Sequence, residues 1–203
     1  MPKLLPLLAL FCAQQSLADH KHNWINVLSD VEVHSGEEAG NVRSVNGDVT
    51  LEDNSQAESV STTNGRIRVG ESVRVEDLST VNGSIKAGSS LYVRDDVRTV
   101  NGSITLRRNS EVGDSVKTVN GPIRLTETTV GQDARTTNGD IKLEASTILG
   151  DIIFDDVSSS WGDSRPTLTI DEYSRVEGDI YLRREVKLRI SDGAAIGEII
   201  RDY

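Results

Sequence analysis

The sequence predicts an all-β chain wound as a single-domain parallel β-solenoid, and three observations carry that reading. The dipeptide Asn-Gly recurs with its asparagine at Asn46, Asn64, Asn82, Asn101, Asn120 and Asn138, at intervals of 18, 18, 19, 19 and 18 residues. Three and five residues after each asparagine stand two apolar columns: Val49, Ile67, Ile85, Ile104, Ile123, Ile141, and Leu51, Val69, Ala87, Leu106, Leu125, Leu143. Between them lies a polar column, Thr50, Arg68, Lys86, Thr105, Arg124 and Lys142. Inside-outside-inside alternation is the pattern of a strand with one buried face, and a period of 18 or 19 residues is that of a unit stacking on its neighbour to bury that face.

The elements follow in chain order. Residues 1–18 read as a secretory signal peptide, with Lys3, an apolar run from Leu4 to Cys12, and Ser16-Leu17-Ala18 before the cut. The run is shorter than the ~20 apolar residues of a membrane span, so no transmembrane segment is expected, and the address is periplasmic, secreted or cell-surface. Residues 19–30 carry Trp24, Ile25, Val27 and Leu28 and read as an N-terminal cap over the open edge of a stack. Residues 31–203 read as the solenoid. A further apolar column four residues before each asparagine (Val42, Val60, Leu78, Val97, Val116, Ala134) gives each rung a second strand, and hydroxyls fill the column two before it (Ser44, Thr62, Thr80, Thr99, Thr118, Thr136).

Asn-Gly by itself is a hairpin signal, but hairpins do not require the same inward columns in the same order at every repeat. In a coil the glycine is expected to supply a positive φ at the corner, and the asparagine amides to hydrogen-bond up the stack. Eight or nine rungs at about 4.8 Å give a rod about 40 Å long. After Asn138 the next Asn-Gly is missing and residues 157–166 read as an insertion loop. The repeat resumes through Leu168 to Ile180 and Leu188 to Ile199.

Composition narrows the function. Loss of residues 1–18 removes the one cysteine, and with it any disulfide or thiol chemistry. The whole chain has 22 basic and 32 acidic residues, a net charge of -10, which disfavours nucleic acid and anionic membrane as partners. The T-V-N-G-x-I-x-L rungs, from about Val42 to Leu143, resemble the bacterial adhesin-like β-solenoid family. That resemblance implies an extracytoplasmic solenoid without an assigned biochemical role. Val176-Glu177-Gly178-Asp179-Ile180 in the last rungs is similar to bactofilins, which implies a self-assembling scaffold as an alternative.

Candidate sites are few. All three histidines fall at or before His34 and no nucleophile-elbow sequence occurs, so a Ser-His-Asp triad is not expected. His20 and His22, beside the new terminus at Asp19, form a candidate metal-binding pair, although no cofactor is expected. Carboxylate pairs such as Asp95-Asp96 and Asp155-Asp156 keep a carbohydrate-active β-helix enzyme as a second alternative. Arg68, Lys86, Arg124 and Lys142 form a candidate basic stripe for an acidic polysaccharide. Trp161, Asp163 and Arg165 form a candidate binding loop, since an indole can stack on a sugar or a protein surface. The function expected is therefore non-enzymatic: an adhesin-like or structural interaction module whose partner is a cell-surface glycan, an envelope protein or a second copy of itself.

Overall fold

The computed structural model describes residues 22–156 and 165–203. It is a parallel β-solenoid with no helix among the described residues, and hence no helix long and apolar enough to cross a membrane. The turns of the chain lay their strands on three sheets, the middle turns one on each, and every strand pair is parallel. The first sheet holds ten strands, from His22–Asn26 through Val97–Asn101 to Ile199–Arg201; the second holds nine, from Val31–Val33 through Ile104–Leu106 to Lys187–Ile190; the third holds six short ones, from Arg74–Val75 to Arg175–Val176. Ten strands extend the eight or nine rungs expected, because His22–Asn26, part of the segment read as a cap, pairs with Ala39–Ser44 as the edge strand of the first sheet. Its Trp24 packs against the end of the core.

The inward columns read from the sequence are the core. Ile67, Ile85, Ile104, Ile123 and Ile141 are fully buried and stack in register with one another. Val42, Val60, Leu78, Val97, Val116 and Ala134 do the same on the first sheet. Because identical positions superpose, each rung repeats the packing problem of the one below, and β-branched side chains with restricted χ1 solve it the same way each time.

The hydroxyl column is also inward. Thr62, Thr80, Thr99 and Thr118 are buried, and each Oγ1 donates to the carbonyl of the corner glycine one rung below: Gly47, Gly65, Gly83 and Gly102, at 2.9, 3.0, 2.9 and 3.2 Å. A buried hydroxyl without a partner would cost about 1–3 kcal/mol, so this column is polar because the corner leaves a carbonyl to satisfy. In the next rungs up, Phe154 and then Leu182 take the position of Thr136, and this column becomes apolar there.

The corner glycines differ from expectation. Among the described glycines only Gly36 has a φ in the left-handed region, and Gly121, at φ 159°, lies at the edge of the extended one. The constraint is contact. A Cβ on Gly65, Gly83, Gly102, Gly121 or Gly139 would lie 2.0, 1.7, 1.8, 2.0 or 1.7 Å from the carbonyl oxygen of the glycine below. The backbone stacks on itself at this corner, which excludes any side chain. Positive φ occurs instead at a second corner, at Asn54, Ser72, Ser90, Asn109, Glu127 and Ala145, with φ from 48° to 60°.

Candidate functional site

Two side-chain ladders run along the corners. In the first, the Nδ2 of Asn64, Asn82, Asn101, Asn120 and Asn138 donates to the Oδ1 of the asparagine one rung below, at 2.8 to 2.9 Å. Arg184 closes its upper end, with Nη1 donating to Asn138 Oδ1 at 2.7 Å. In the second, side-chain oxygens accept the next rung's backbone N–H: Asp96 from Ser115, Ser115 from Asp133, Asp133 from Asp151, Asp151 from Asp179, and Asp179 from Glu198. Part of the chain's acidity thus has a structural use. Asp48 likewise accepts from the Arg66 N–H and pairs with Arg68 at 2.7 Å, which together hold its carboxyl below the ordinary value despite some burial. Burial pushes Asp171 up, but the Ser174 hydroxyl and the N–H groups of Ala145, Tyr173 and Ser174 outweigh it and hold the carboxyl down.

Arg68, Lys86, Arg124 and Lys142 stand in one outward column of the second sheet, interrupted by Thr105. Arg68 is tied to Asp48, and Lys142 to Glu144 at 2.6 Å, whose carboxyl that lysine holds low. Lys86 and Arg124 make no ion pair among the described residues. The column is thus two separated cations and two neutralised ones. His20, Trp161 and Asp163 lie outside the described residues. Arg165 pairs with Glu185 at 2.7 Å. His22 is exposed and sits edge-on to Trp24, with ring centroids 6.5 Å apart. The metal-ligand geometry present falls on other residues: Glu32, His34 and Glu52 each place a ligand atom within 4.8 Å of the others and could hold a divalent cation. Parallel register explains it, since Val33 pairs with Leu51 and so sets His34 beside Glu52.

A long concave surface lies on the first sheet's outer face, where the sequence pointed to no site. It is a groove of about 730 Å³ that follows the stack from Val45 to Asp155. Strand alternation builds it. Because Val42, Val60, Leu78, Val97 and Val116 point in, Arg43, Ser61, Ser79, Arg98 and Lys117 point out and form the floor. Two residues further along each strand the outward column is Val45, Thr63, Val81, Val100, Val119 and Thr137, a ridge beside the asparagine ladder. Val81, Val100 and Val119 are 41%, 39% and 40% exposed.

Three of the floor cations are ion-paired, while Arg43 reaches the Ser61 hydroxyl at 3.4 Å. Arg98 lies 3.5 Å from both Asp77 and Asp96, Lys117 lies 3.5 Å from Asp96, and Arg135 holds Asp155 through two contacts at 2.5 and 2.8 Å. That contact raises the Arg135 guanidinium above its ordinary value. Asp155 is the single carboxylate lining the groove among the described residues, and both its oxygens are engaged, by Arg135 and Arg183. Asp95, of the other acid pair, is held by Arg94.

Parity along the strand would have found the ridge: a valine directly before a corner asparagine, three after an inward valine, must face out. Neither a protein-family model, nor a curated protein, nor a solved structure matches this chain.

Proposed function

We propose that this protein is a non-enzymatic interaction module of the bacterial cell envelope, adhesin-like in use, and that its ligand lies along the groove of the ten-stranded sheet. The observation that carries the reading is the groove itself: an elongated concave surface with a row of half-exposed valines on a scaffold whose other outward columns are solvated or ion-paired. Exposed apolar rows of this kind mark interaction sites, and pairing throughout the corners holds the surface rigid, which lowers the ordering cost of binding. A pair of carboxylates free to act as acid and base is the feature a glycan-cleaving site would need. The groove has one carboxylate, and two arginines hold it. The extracytoplasmic address rests on reading residues 1–18 as a cleaved leader.

The test is attachment of the purified chain to isolated bacterial envelope material. Val100→Asp together with Val119→Asp should abolish it, Arg124→Ala with Lys142→Ala should leave it unchanged, and Trp161→Ala measures the part played by the insertion loop. Attachment that survives the valine substitutions and is lost with Trp161 or with the basic stripe would overturn the groove reading.

A further inference from the structure

The proposed groove repeats itself once per rung, and that repeat selects its ligand. Each rung across the face presents the same two outward positions in the same order: a floor residue and a ridge residue. Ser79 and Val81 are one such pair, Arg98 and Val100 the next, and Lys117 and Val119 the third, while Asp77 and Asp96 stand just beyond the floor and reach its cations from the side. Pairs are separated by the strand spacing, about 4.8 Å. Ridge positions run over six rungs from Val45 to Thr137, so the groove offers six floor-and-ridge pairs, four with a valine ridge and two with a threonine, in a straight line about 24 Å long.

Building on the groove reading, we infer that the ligand is a neutral, unbranched, β-linked hexopyranose polymer bound with one sugar per rung. Three properties of the surface point to it. The first is period. An extended β-1,4-linked hexopyranose is straight and advances by close to one rung per sugar; successive rings are turned over, but both ring faces carry C–H groups and both edges carry hydroxyls, so each rung meets similar chemistry. An extended polypeptide advances about 3.3 Å per residue, which falls out of register with the rungs within a few of them. An acyl chain has no functional repeat to match.

The second property is the pairing of donor and acceptor. Arg98 with Asp77 and Asp96, and Lys117 with Asp96, set a cationic donor and an anionic acceptor about 3.5 Å apart. Adjacent ring hydroxyls, each both donor and acceptor, meet both halves of such a pair, and sites built to hydrogen-bond hydroxyls discriminate strongly against analogues without them. The third property is the ridge. Half-exposed valine methyls present a smooth apolar strip, suited to the C–H face of a pyranose ring, while the hydroxyls at the ring's edge reach the floor.

Charge rules against a polyanion in the same place. Three of the four floor cations, Arg98, Lys117 and Arg135, already have carboxylate partners, Glu76, Asp95 and Asp114 stack at the neighbouring corner with Arg94 as the cation held between the first two, and the whole chain is at -10. A uronate polymer would have to displace internal carboxylates and approach a like-charged protein. The basic stripe on the second sheet, with Arg68 and Lys142 already neutralised, does not supply an alternative line of charge.

Calorimetric titration with cello-oligosaccharides of two to seven units tests the assignment, with maltoheptaose and oligogalacturonate as comparisons. Affinity should rise with each added sugar up to about six units and then level off, the number of ridge positions, while maltoheptaose, which coils, and oligogalacturonate should bind at least about tenfold more weakly. Val100→Asp should weaken cellohexaose about tenfold or more by setting a charge against the ring face. Ser79→Ala, a smaller change on the floor, should weaken it a few-fold with an unchanged melting midpoint, which keeps the test valid if the aspartate variant misfolds. Equal binding of maltoheptaose, tighter binding of oligogalacturonate, or no length dependence would overturn the one-sugar-per-rung assignment. If no glycan binds while the valine variants still abolish envelope attachment, the glycan assignment fails and the groove reading stands; if neither result is obtained, both fail.

Discussion

Replacing Gly102 by alanine places a methyl carbon 1.8 Å from the Gly83 carbonyl oxygen and 2.5 Å from its carbonyl carbon. No side chain can rotate away, because both partners are backbone. Relief requires the two rungs to separate locally by more than 1 Å. The same corner holds the Asn101–Asn82 and Asn120–Asn101 amide bonds at 2.8 Å and the Thr118 bond to the Gly102 carbonyl at 3.2 Å. Overpacking costs about 1–3 kcal/mol, and weakening two or three hydrogen bonds adds about 1 kcal/mol each, so the expected loss is about 3–6 kcal/mol. At about 2–4 °C per kcal/mol for a chain of this size, the midpoint should fall by on the order of 10 °C.

Gly36 provides the contrast. It has φ +74° and nothing within 4 Å of an added Cβ, so Gly36→Ala should cost only the left-handed penalty of about 1–2 kcal/mol. Urea unfolding of both variants, followed by far-ultraviolet circular dichroism, separates the two mechanisms. If Gly102→Ala is no more destabilising than Gly36→Ala, the corner glycines are not there for close approach and the account of this corner is wrong.

The asparagine ladder predicts a difference by position. Asn101→Ala breaks two amide bonds and should cost about 1–3 kcal/mol, whereas Asn46→Ala breaks one and should cost about half as much; equal losses in urea unfolding would contradict a ladder. Asn46 is also the ladder member whose Nδ2 has no acceptor among the described residues. Attack of the Gly47 nitrogen on the Asn46 side chain, with loss of ammonia, should therefore deamidate Asn46 before Asn64, Asn82, Asn101 or Asn120 in folded protein. Peptide mapping should show that order vanish in urea. For Asp171 the folded-state carboxyl is depressed, so its contribution to stability is present at neutral pH and is lost as pH falls below about 4. Asp171→Asn should be less stable than the parent at pH 7 and show a flatter decline between about pH 5 and 2, and parallel pH profiles would contradict the assignment.

Much of the fold was legible because period-two alternation and an 18-residue repeat are direct consequences of strand pleat and rung stacking. The inward isoleucines, the second valine column and the asparagine positions needed no structure to be placed. Corner chemistry was less readable. Asn-Gly carries the same letters whether glycine supplies a torsion or merely the absence of a Cβ, and only the 1.7–2.0 Å clash with the rung below distinguishes the two. Glu127 and Ala145 at positive φ are invisible in sequence, since neither residue favours that region. The groove was hidden for another reason: Val81, Val100 and Val119 read as core residues by composition, and only counting alternation from the inward valines turns them outward. His34 and Glu52 stand 18 residues apart in sequence and meet through strand register.

The central claim, that the outer face of the ten-stranded sheet is where this protein binds, is tested most directly by methyl nuclear magnetic resonance of valine-labelled protein titrated with cellohexaose and, in parallel, with solubilised envelope material. The account predicts shifts in Val45, Val81, Val100 and Val119, with the buried methyls of Val33, Val49 and Val130 unmoved. Shifts confined to other methyls, or binding that leaves the four ridge valines untouched, would contradict it.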